Sequence, residues 1–337
     1  MIKIQQNFSL KQSNSFGLDS TAQTFIEADN AEELLDSIKS GRSFTNDLLL
    51  LGTGSNILLS KPAVGTVIHP VNTDIMILDE FPEYVLVRCG AGMDWDKLVD
   101  WTVNCGFYGL ENLSLIPGSV GAAPVQNIGA YGAEVSNWIE SVKVIDLESS
   151  RTFTLNRDQC GFGYRDSIFK DTVNKKWLVW EVVFRLDKEP RPNLTYKPLK
   201  QEFPVGYRPE ILEVRNAVIR IRRSKLPDPA EIGNAGSFFK NPVISGCHAA
   251  LLKEDYPDIP AYYHDPETVK IPAGWLIDQC GWKGFRDGPV GVYPKQALVL
   301  VNYGGATSAQ VLDLAGQIIE SVHKAFGIKL EMEVRLI

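Results

Sequence analysis

Residues 110–132 read LENLSLIPGSVGAAPVQNIGAYG. Glycines stand at 118, 121, 129 and 132 with Gly109 just upstream, prolines at 117 and 124, and no charge falls between Glu111 and Glu134. Glycine and proline both oppose a helix, and a surface loop would be more polar. The segment is therefore expected to be buried, irregular backbone lying close against something large. A packing loop under another element would fit. A phosphate-bearing cofactor fits better, because successive backbone N–H groups form an anion-binding concavity where no side chain intrudes.

Upstream, LLLLGTGSNILLS at 48–60 carries Gly52-Thr53-Gly54. A dinucleotide fingerprint would need a third glycine and a following helix, and a P-loop would need Gly-Lys-Ser/Thr. Neither is present, and the apolar run ends at Lys61-Pro62, so the pattern is strand, tight turn, strand. Such a turn can offer N–H groups to a phosphate, with Ser55 and Asn56 as added donors; an ordinary hairpin turn is the alternative.

Other elements follow from periodicity and end signals. Strands are expected at Thr24–Ala28, Val64–Ile68, Tyr84–Cys89, Ser141–Leu147, Thr152–Leu155, Trp177–Leu186 and Gln296–Val301, with LEMEVRLI (330–337) as a last strand. Asn30 and Glu33 suggest a capping box for a helix burying Leu34, Leu35 and Ile38. Asp94 caps a helix with Trp95, Leu98, Val99 and Thr102 on one face. A helix from Pro209 turns Ile211, Val214, Val218 and Ile221 inward and stops near Lys225, before Pro227 and Pro229. Short helices are expected near Cys247–Lys253 and at Ala273–Cys280, joined by a polar loop through His264. Ser308 caps a long helix that buries Val311, Leu314, Ala315, Ile318, Val322 and Phe326 and closes at Gly327. The alternation of strands and helices, with a block of roughly 100 residues set apart after Pro229, gives an α+β cofactor domain with a smaller substrate domain.

With 337 residues, 44% of them hydrophobic, the chain can build about two domains. A net charge of −7 argues against general binding to nucleic acid or membrane surfaces. Any anionic ligand must then be held by local cations, such as the Arg220, Arg222, Arg223 and Lys225 cluster; for Arg220 and Arg223, complementing a helix C-terminus is sufficient reason. The five cysteines are scattered without CxxC, and the four histidines share no metal-ligand spacing, so reduced thiols and no metal are expected. No signal peptide or membrane span is expected, which places the protein in the cytoplasm.

Three residues suggest chemistry. Ser237 lies in GNAGSFFKNP (233–242), outside any Gly-x-Ser-x-Gly elbow. A packing serine would fit, as would a hydroxyl that gives its proton to a strongly basic carbon. Arg165 could pair with its neighbour Asp166, or fork onto a substrate carboxylate as lysine could not. Glu333 and Arg335 alternate along the last strand and so share a side.

These blocks, together with NSFGLDSTA (14–22), CGFGYRDSIFK (160–170), SKLPDP (224–229), AGWLIDQCGWKG (273–284) and QALVLVN (296–302), resemble the UDP-N-acetylenolpyruvoylglucosamine reductase family, in the family's order and across nearly the whole chain. The resemblance implies an α+β fold: a two-part FAD-binding domain of the vanillyl-alcohol oxidase and p-cresol methylhydroxylase type, plus a C-terminal α+β substrate domain. The expected division is 1–70 with 328–337, then 71–225, then 226–327, the final strand returning to the first part. It implies NADPH-dependent reduction of UDP-N-acetylglucosamine enolpyruvate to UDP-N-acetylmuramate for peptidoglycan, with hydride from N5 of non-covalent FAD to C3 and a proton from Ser237 to C2. Arg165 and Glu333 would stabilise the enolic intermediate. Tyr196, Lys225, Asn241 and Gln296 match positions that hold the UDP moiety, Tyr196 marking the subtype with an extra tyrosine loop.

For FAD, the resemblance implies Gly52, Thr53, Gly54, Ser55 and Asn56 in the first turn. In the second segment it implies Ile116, Pro117, Gly118, Ser119, Gly121 and Ala122, then Asn127, Ile128, Gly129, Tyr131 and Gly132. Tyr164, Arg222 and Arg335 complete the set. Met332 departs from the family, which has proline before the catalytic glutamate. With no separate dinucleotide motif, NADPH is expected to share one pocket with the sugar nucleotide, and the protein to be a monomer. Two other readings are a flavin oxidase of the same fold, which often tethers flavin through histidine where the cofactor half of this chain has only His69, and a nucleotide-sugar binding protein without catalysis.

Overall fold

The structure is a computed structural model describing residues 2–40, 47–263 and 265–337; His264 lies outside the described residues. The chain forms two compact units. The first comprises Met1–Phe8, Thr21–Thr53 and Ala63–Arg222, the second Ser9–Ser20, Gly54–Pro62 and Arg223–Ile337.

Among the described residues the first unit holds a two-stranded ribbon, Gly129–Ala130 with Ala133–Glu134, and two larger sheets. In one, Thr21–Ala28 and Leu48–Leu50 each pair in parallel with Ala63–Pro70, and Ile2–Ser9 lies at the edge beside Thr21–Ala28. The other is antiparallel, in the order Arg151–Asn156, Ile139–Asp146, Trp177–Asp187, Tyr84–Gly90, Ile75–Glu80. Alternate residues of the central strands (Val85, Val87 and Cys89; Val142 and Val144; Val182, Phe184 and Leu186) point into one core, as a pleat buried on one face requires. Helix Trp95–Asn104 lays its expected face of Trp95, Leu98, Val99 and Thr102 there, and the Asp94 carboxylate accepts the Lys97 N–H at 3.0 Å. On helix Ala31–Lys39, Asn30 caps the Glu32 and Glu33 N–H groups, while the Glu33 carboxylate accepts the Ile2 N–H.

Two stretches from the N-terminal part of the chain belong to the second unit because of what they bury. Phe16, Leu18 and Leu58 share a core with Phe238, Phe239, Leu276, Val292, Ile318 and Phe326. The helix Ser308–Phe326 contributes all six residues expected to face inward and ends at left-handed Gly327. Its cap is Thr307 rather than Ser308: Thr307 and Gln310 satisfy one another reciprocally, and the Ser308 hydroxyl donates to the Leu59 carbonyl. The expected strand at Gln296–Val301 shortens to Leu300–Asn302, since residues 293–299 close a turn on their own backbone. The C-terminal strand likewise shortens to Arg335–Leu336, with an isolated bridge from Met332 to Phe239.

The hairpin alternative for 48–60 is overturned. Leu48–Leu50 pairs with Ala63–Pro70, whereas Ile57–Leu58 pairs in parallel with Arg335–Leu336. The turn at 52–56 joins strands of different sheets, so its shape is not set by a hairpin.

Candidate functional site

In the first unit the two glycine-bearing segments come together. A Cβ on Gly52 would meet the Ser119 hydroxyl at 2.5 Å and the Ala122 methyl at 3.4 Å. Gly121 is equally tight against Ala91, at 2.6 Å. Segment 113–121 is moored on one side by helix Trp95–Asn104 and the residues before it. The Trp95 indole donates to the Leu113 carbonyl, the Trp95 N–H to Gly118, and the Val120 N–H to Met93. Among the described residues, the N–H groups of Gly52, Thr53, Ile116, Gly118 and Ser119 donate to no protein group. Unpartnered N–H groups on two adjoining bare backbones, one of them running through Gly118 at φ 152°, suit a diphosphate.

The backbone here is unusual for the residues it carries. Leu115 (φ 58°), Asn127 (φ 46°) and Tyr131 (φ 51°) are left-handed, a conformation that costs a side-chain-bearing residue about 1–2 kcal/mol. Each is held. The Asp96 carboxylate accepts the Leu115 N–H at 2.5 Å, and Arg222 Nε donates to the Leu115 carbonyl at 3.1 Å. Asn127 donates to Glu134 and the Gly163 carbonyl and accepts the Ser136 N–H, so its side chain is spent on the fold. Ile128 is in the core; these two can meet a cofactor only through backbone. The Tyr131 carbonyl accepts from Asn112, which also binds the Asn193 carbonyl. Asn193 in turn donates to the Gly132 carbonyl. These bonds bring the tyrosine-bearing segment alongside, and the Tyr131 and Tyr196 rings meet edge to face at 5.3 Å.

Burial pushes the Asp96 carboxyl up, but hydrogen bonds from Arg215 and the Leu115 N–H and the charges of Arg215 and Arg222 outweigh it, leaving it below its ordinary range. Arg222 keeps some solvent contact, yet the dense packing around it disfavours its charge more than Tyr131 and Asp96 restore it. A bound anion would relieve that deficit.

Arg165 does not pair with Asp166. Its own backbone is left-handed (φ 54°), and its guanidinium donates to the Gly129 carbonyl at 2.6 Å, with the Asn127 carbonyl at 3.4 Å and Glu134 at 3.8 Å. It also lies over the Tyr164 ring at 5.2 Å, and a Cβ at Gly129 would meet Arg165 Nη1 at 2.8 Å. Asp166 faces Lys170 instead. His69 binds the Leu51 carbonyl at 2.8 Å, from within a strand. Of the helix-end cations, Arg220 pairs with Glu202.

In the second unit, Ser237 sits in a loop fixed by backbone bonds. Phe238 donates to the Leu298 carbonyl, Glu333 donates to the Phe238 carbonyl, and Lys240 donates to Glu331. Asn234 accepts the N–H of Gly236, whose φ is 67°. Phe238 and Phe239 are buried while Ser237 stays half-buried, and its hydroxyl has no hydrogen-bond partner among the described residues. Glu333 and Arg335 flank buried Val334, as alternation requires. The Asn56 amide donates to the Glu333 carbonyl, and the Asn56 carbonyl accepts the Arg335 N–H. The carbonyl of Gly54 (φ 69°) accepts from Ser15, and a Cβ at Gly54 would strike the Ser13 carbonyl at 2.1 Å. Asn241 accepts the Ala273 N–H at the start of helix Ala273–Gln279, and Gln296 lies against Gly274. Lys225 is the last residue of helix Ile211–Lys225 and is half-buried.

Asp96, Arg215, Asn112, Asn193 and Asn234 hold these segments, and sequence reasoning did not single them out. An aspartate in a first helical turn reads as an ordinary dipole partner, and only Asn234, inside GNAGSFF, sits where a signal could have been sought.

Residues 22–156 match the family described as FAD binding domain, and residues 228–337 match UDP-N-acetylenolpyruvoylglucosamine reductase, C-terminal domain. A UDP-N-acetylenolpyruvoylglucosamine reductase from Pseudomonas aeruginosa is 43% identical over 337 residues, covering 99% of both chains. One from Bacteroides fragilis is 45% identical over 334 residues, covering 99% of this chain and 100% of its own. A crystal structure of the reductase from Thermus caldophilus matches with a TM-score of 0.69 over 100% of this chain and 98% of its own; at 24% identity it speaks for the fold alone. Similarity of this extent, with both domains matched in order, makes the chain a member of the UDP-N-acetylenolpyruvoylglucosamine reductase family, built on an FAD-binding fold.

Proposed function

We propose that the protein reduces UDP-N-acetylglucosamine enolpyruvate to UDP-N-acetylmuramate at the expense of NADPH, with Ser237 as the acid. The observation that carries this reading is the Ser237 hydroxyl, unpartnered in a loop whose next residue anchors the Glu333 backbone. Bound FAD supplies the transfer of hydride from NADPH to C3 of the alkene. What remains for the chain is charge and proton. Hydride at C3 drives electron density through C2 into the carboxylate, so cations and hydrogen-bond donors near that carboxylate stabilise the transition state more than the ground state. Arg165 takes the cationic role, Glu333 can share it only as the neutral acid donating a hydrogen bond, and Ser237 gives its proton to C2.

FAD would be held by the bare N–H groups of Gly52–Thr53 and Ile116–Ser119, with Gly54, Ser55, Asn56, Tyr164, Arg222 and Arg335 beside it. The donor set fits a diphosphate without any added cation. Tyr196, Lys225, Asn241 and Gln296 take the UDP moiety. In this division of labour, residues 1–70 with 328–337 and 71–225 carry the cofactor and 226–327 the nucleotide. Among the described residues no helix is long and apolar enough to cross a membrane, and we propose a cytoplasmic monomer.

Anaerobic stopped-flow of the two half-reactions tests the assignment. Ser237→Ala should leave bleaching of the yellow protein by NADPH unchanged and slow reoxidation by the enolpyruvyl substrate by about 10²–10⁴-fold. Reoxidation at the wild-type rate would remove Ser237 from the mechanism.

A further inference from the structure

Leu115 immediately precedes the stretch whose N–H groups are bare, and it is held left-handed from both sides. Its N–H goes to Asp96 at 2.5 Å, on helix Trp95–Asn104, and its carbonyl to Arg222 at 3.1 Å, on helix Ile211–Lys225. Asp96 is itself fixed. Arg215, from the second helix and only 6% exposed, donates to both of its oxygens at 2.7 and 3.0 Å and reaches Asp100 at 3.2 Å. A buried guanidinium is an expensive way to satisfy two carboxylates that keep solvent contact, and replacing such a group by apolar residues often costs nothing in stability. What an apolar pair could not do is aim a carboxylate at a backbone N–H.

We propose that Asp96, oriented by Arg215, is a positioning residue for FAD binding: it locks Leu115 in the left-handed conformation that turns the N–H groups of Ile116, Gly118 and Ser119 toward the diphosphate. Without the lock a leucine prefers the right-handed or extended regions by about 5- to 30-fold. Any such flip rotates the Leu115–Ile116 peptide and re-aims the donors that follow. Asp96 touches no cofactor atom in this account; it acts through one peptide. The inference rests on the reading of 116–119 as a diphosphate cradle.

The test uses full-length protein stripped of flavin, with the FAD dissociation constant read from quenching of flavin fluorescence and the melting midpoint of each apoprotein read alongside. Four variants are compared: Asp96→Ala, Leu115→Gly, the double variant and Gly118→Val. Asp96→Ala should weaken FAD by 5- to 30-fold. Leu115→Gly should bind within about threefold of wild type, because glycine takes positive φ without penalty. The double variant should recover most of the affinity lost in Asp96→Ala while its apoprotein melts no higher. Gly118→Val places a side chain in the cradle itself and should abolish binding. FAD binding unchanged in Gly118→Val would remove the cradle reading. Loss in Gly118→Val with Asp96→Ala within threefold of wild type, or a double variant as weak as Asp96→Ala, would keep the cradle and overturn the positioning role.

Discussion

Two irregular segments carry the proposed chemistry, and they are held in opposite ways. Segment 109–132 offers backbone N–H groups. Backbone bonds moor it at Gly118, Val120 and Gly121, while the side chains of Trp95, Asp96, Arg222 and its own Asn112 hold others of its peptides, and it stores strain at Leu115, Asn127 and Tyr131. Segment 233–241 offers a side chain. It is fastened by backbone-to-backbone bonds to 298, 331 and 333, and its left-handed residue is a glycine. The difference follows from what is presented. A backbone donor is available only if it is kept out of any ladder, so other groups must fix its direction; a side-chain donor leaves the backbone free to bond.

The largest expected effect is on the first segment. Gly52→Val should raise the FAD dissociation constant by at least about 100-fold, or roughly 3 kcal/mol, because its Cβ would stand 2.5 Å from the Ser119 hydroxyl; equilibrium dialysis of the apoprotein measures it, and near-normal binding would detach Gly52 from the cradle. Arg165→Lys comes next. Turnover should fall on the order of 10²-fold, as for loss of one preorganised donor, with some loss of FAD as well, since the bond to the Gly129 carbonyl goes with it. Unchanged turnover would leave Arg165 a structural tie.

Third, two carboxyls near the first segment should give opposite pH slopes in thermal melts. The folded-state value of Asp96 is lowered, so its contribution is present above the unfolded carboxylate value near 4 and is lost as pH falls through the lower folded value. Burial pushes Glu111 up, only partly offset by its own and Gly109's N–H, and Asp187 adds to the rise. A raised acid favours the protonated fold, so stability falls as pH climbs from the unfolded value through the folded one. Asp96→Asn should therefore flatten the acid limb, while Glu111→Gln should gain stability at neutral pH; the reverse pattern would mean the two environments are misassigned. Smallest is Thr307→Ala in the second unit, which removes a reciprocal cap worth about 1 kcal/mol and should lower the melting midpoint by about 2–4 °C without touching FAD affinity.

Much of this was legible in the chain. Helical periodicity gave the buried face of Ser308–Phe326 residue by residue and that of Trp95–Asn104 but for Val103, because a single apolar stripe faces a single core. Strand Ile75–Glu80 escaped notice because it is an edge with one partner and nearly every side chain exposed, so it has no alternation to read. Strand Ile2–Ser9 lies at an edge too. In the site, glycines announced the bare backbone, since close approach is written in the residue type. Asp96 and Arg215 were silent: their task is a hydrogen bond to a peptide and an ion pair across 119 positions, and neither leaves a local pattern.

The pairing of Ile57–Leu58 with Arg335–Leu336 has a consequence for biosynthesis. A nascent chain emerging from the ribosome exposes Phe16, Leu18 and Leu58 long before the core that receives them exists. Those early segments can settle only once Arg335 and Leu336 have been made, so a long stretch of synthesis separates the first residues of this core from the ones that close it.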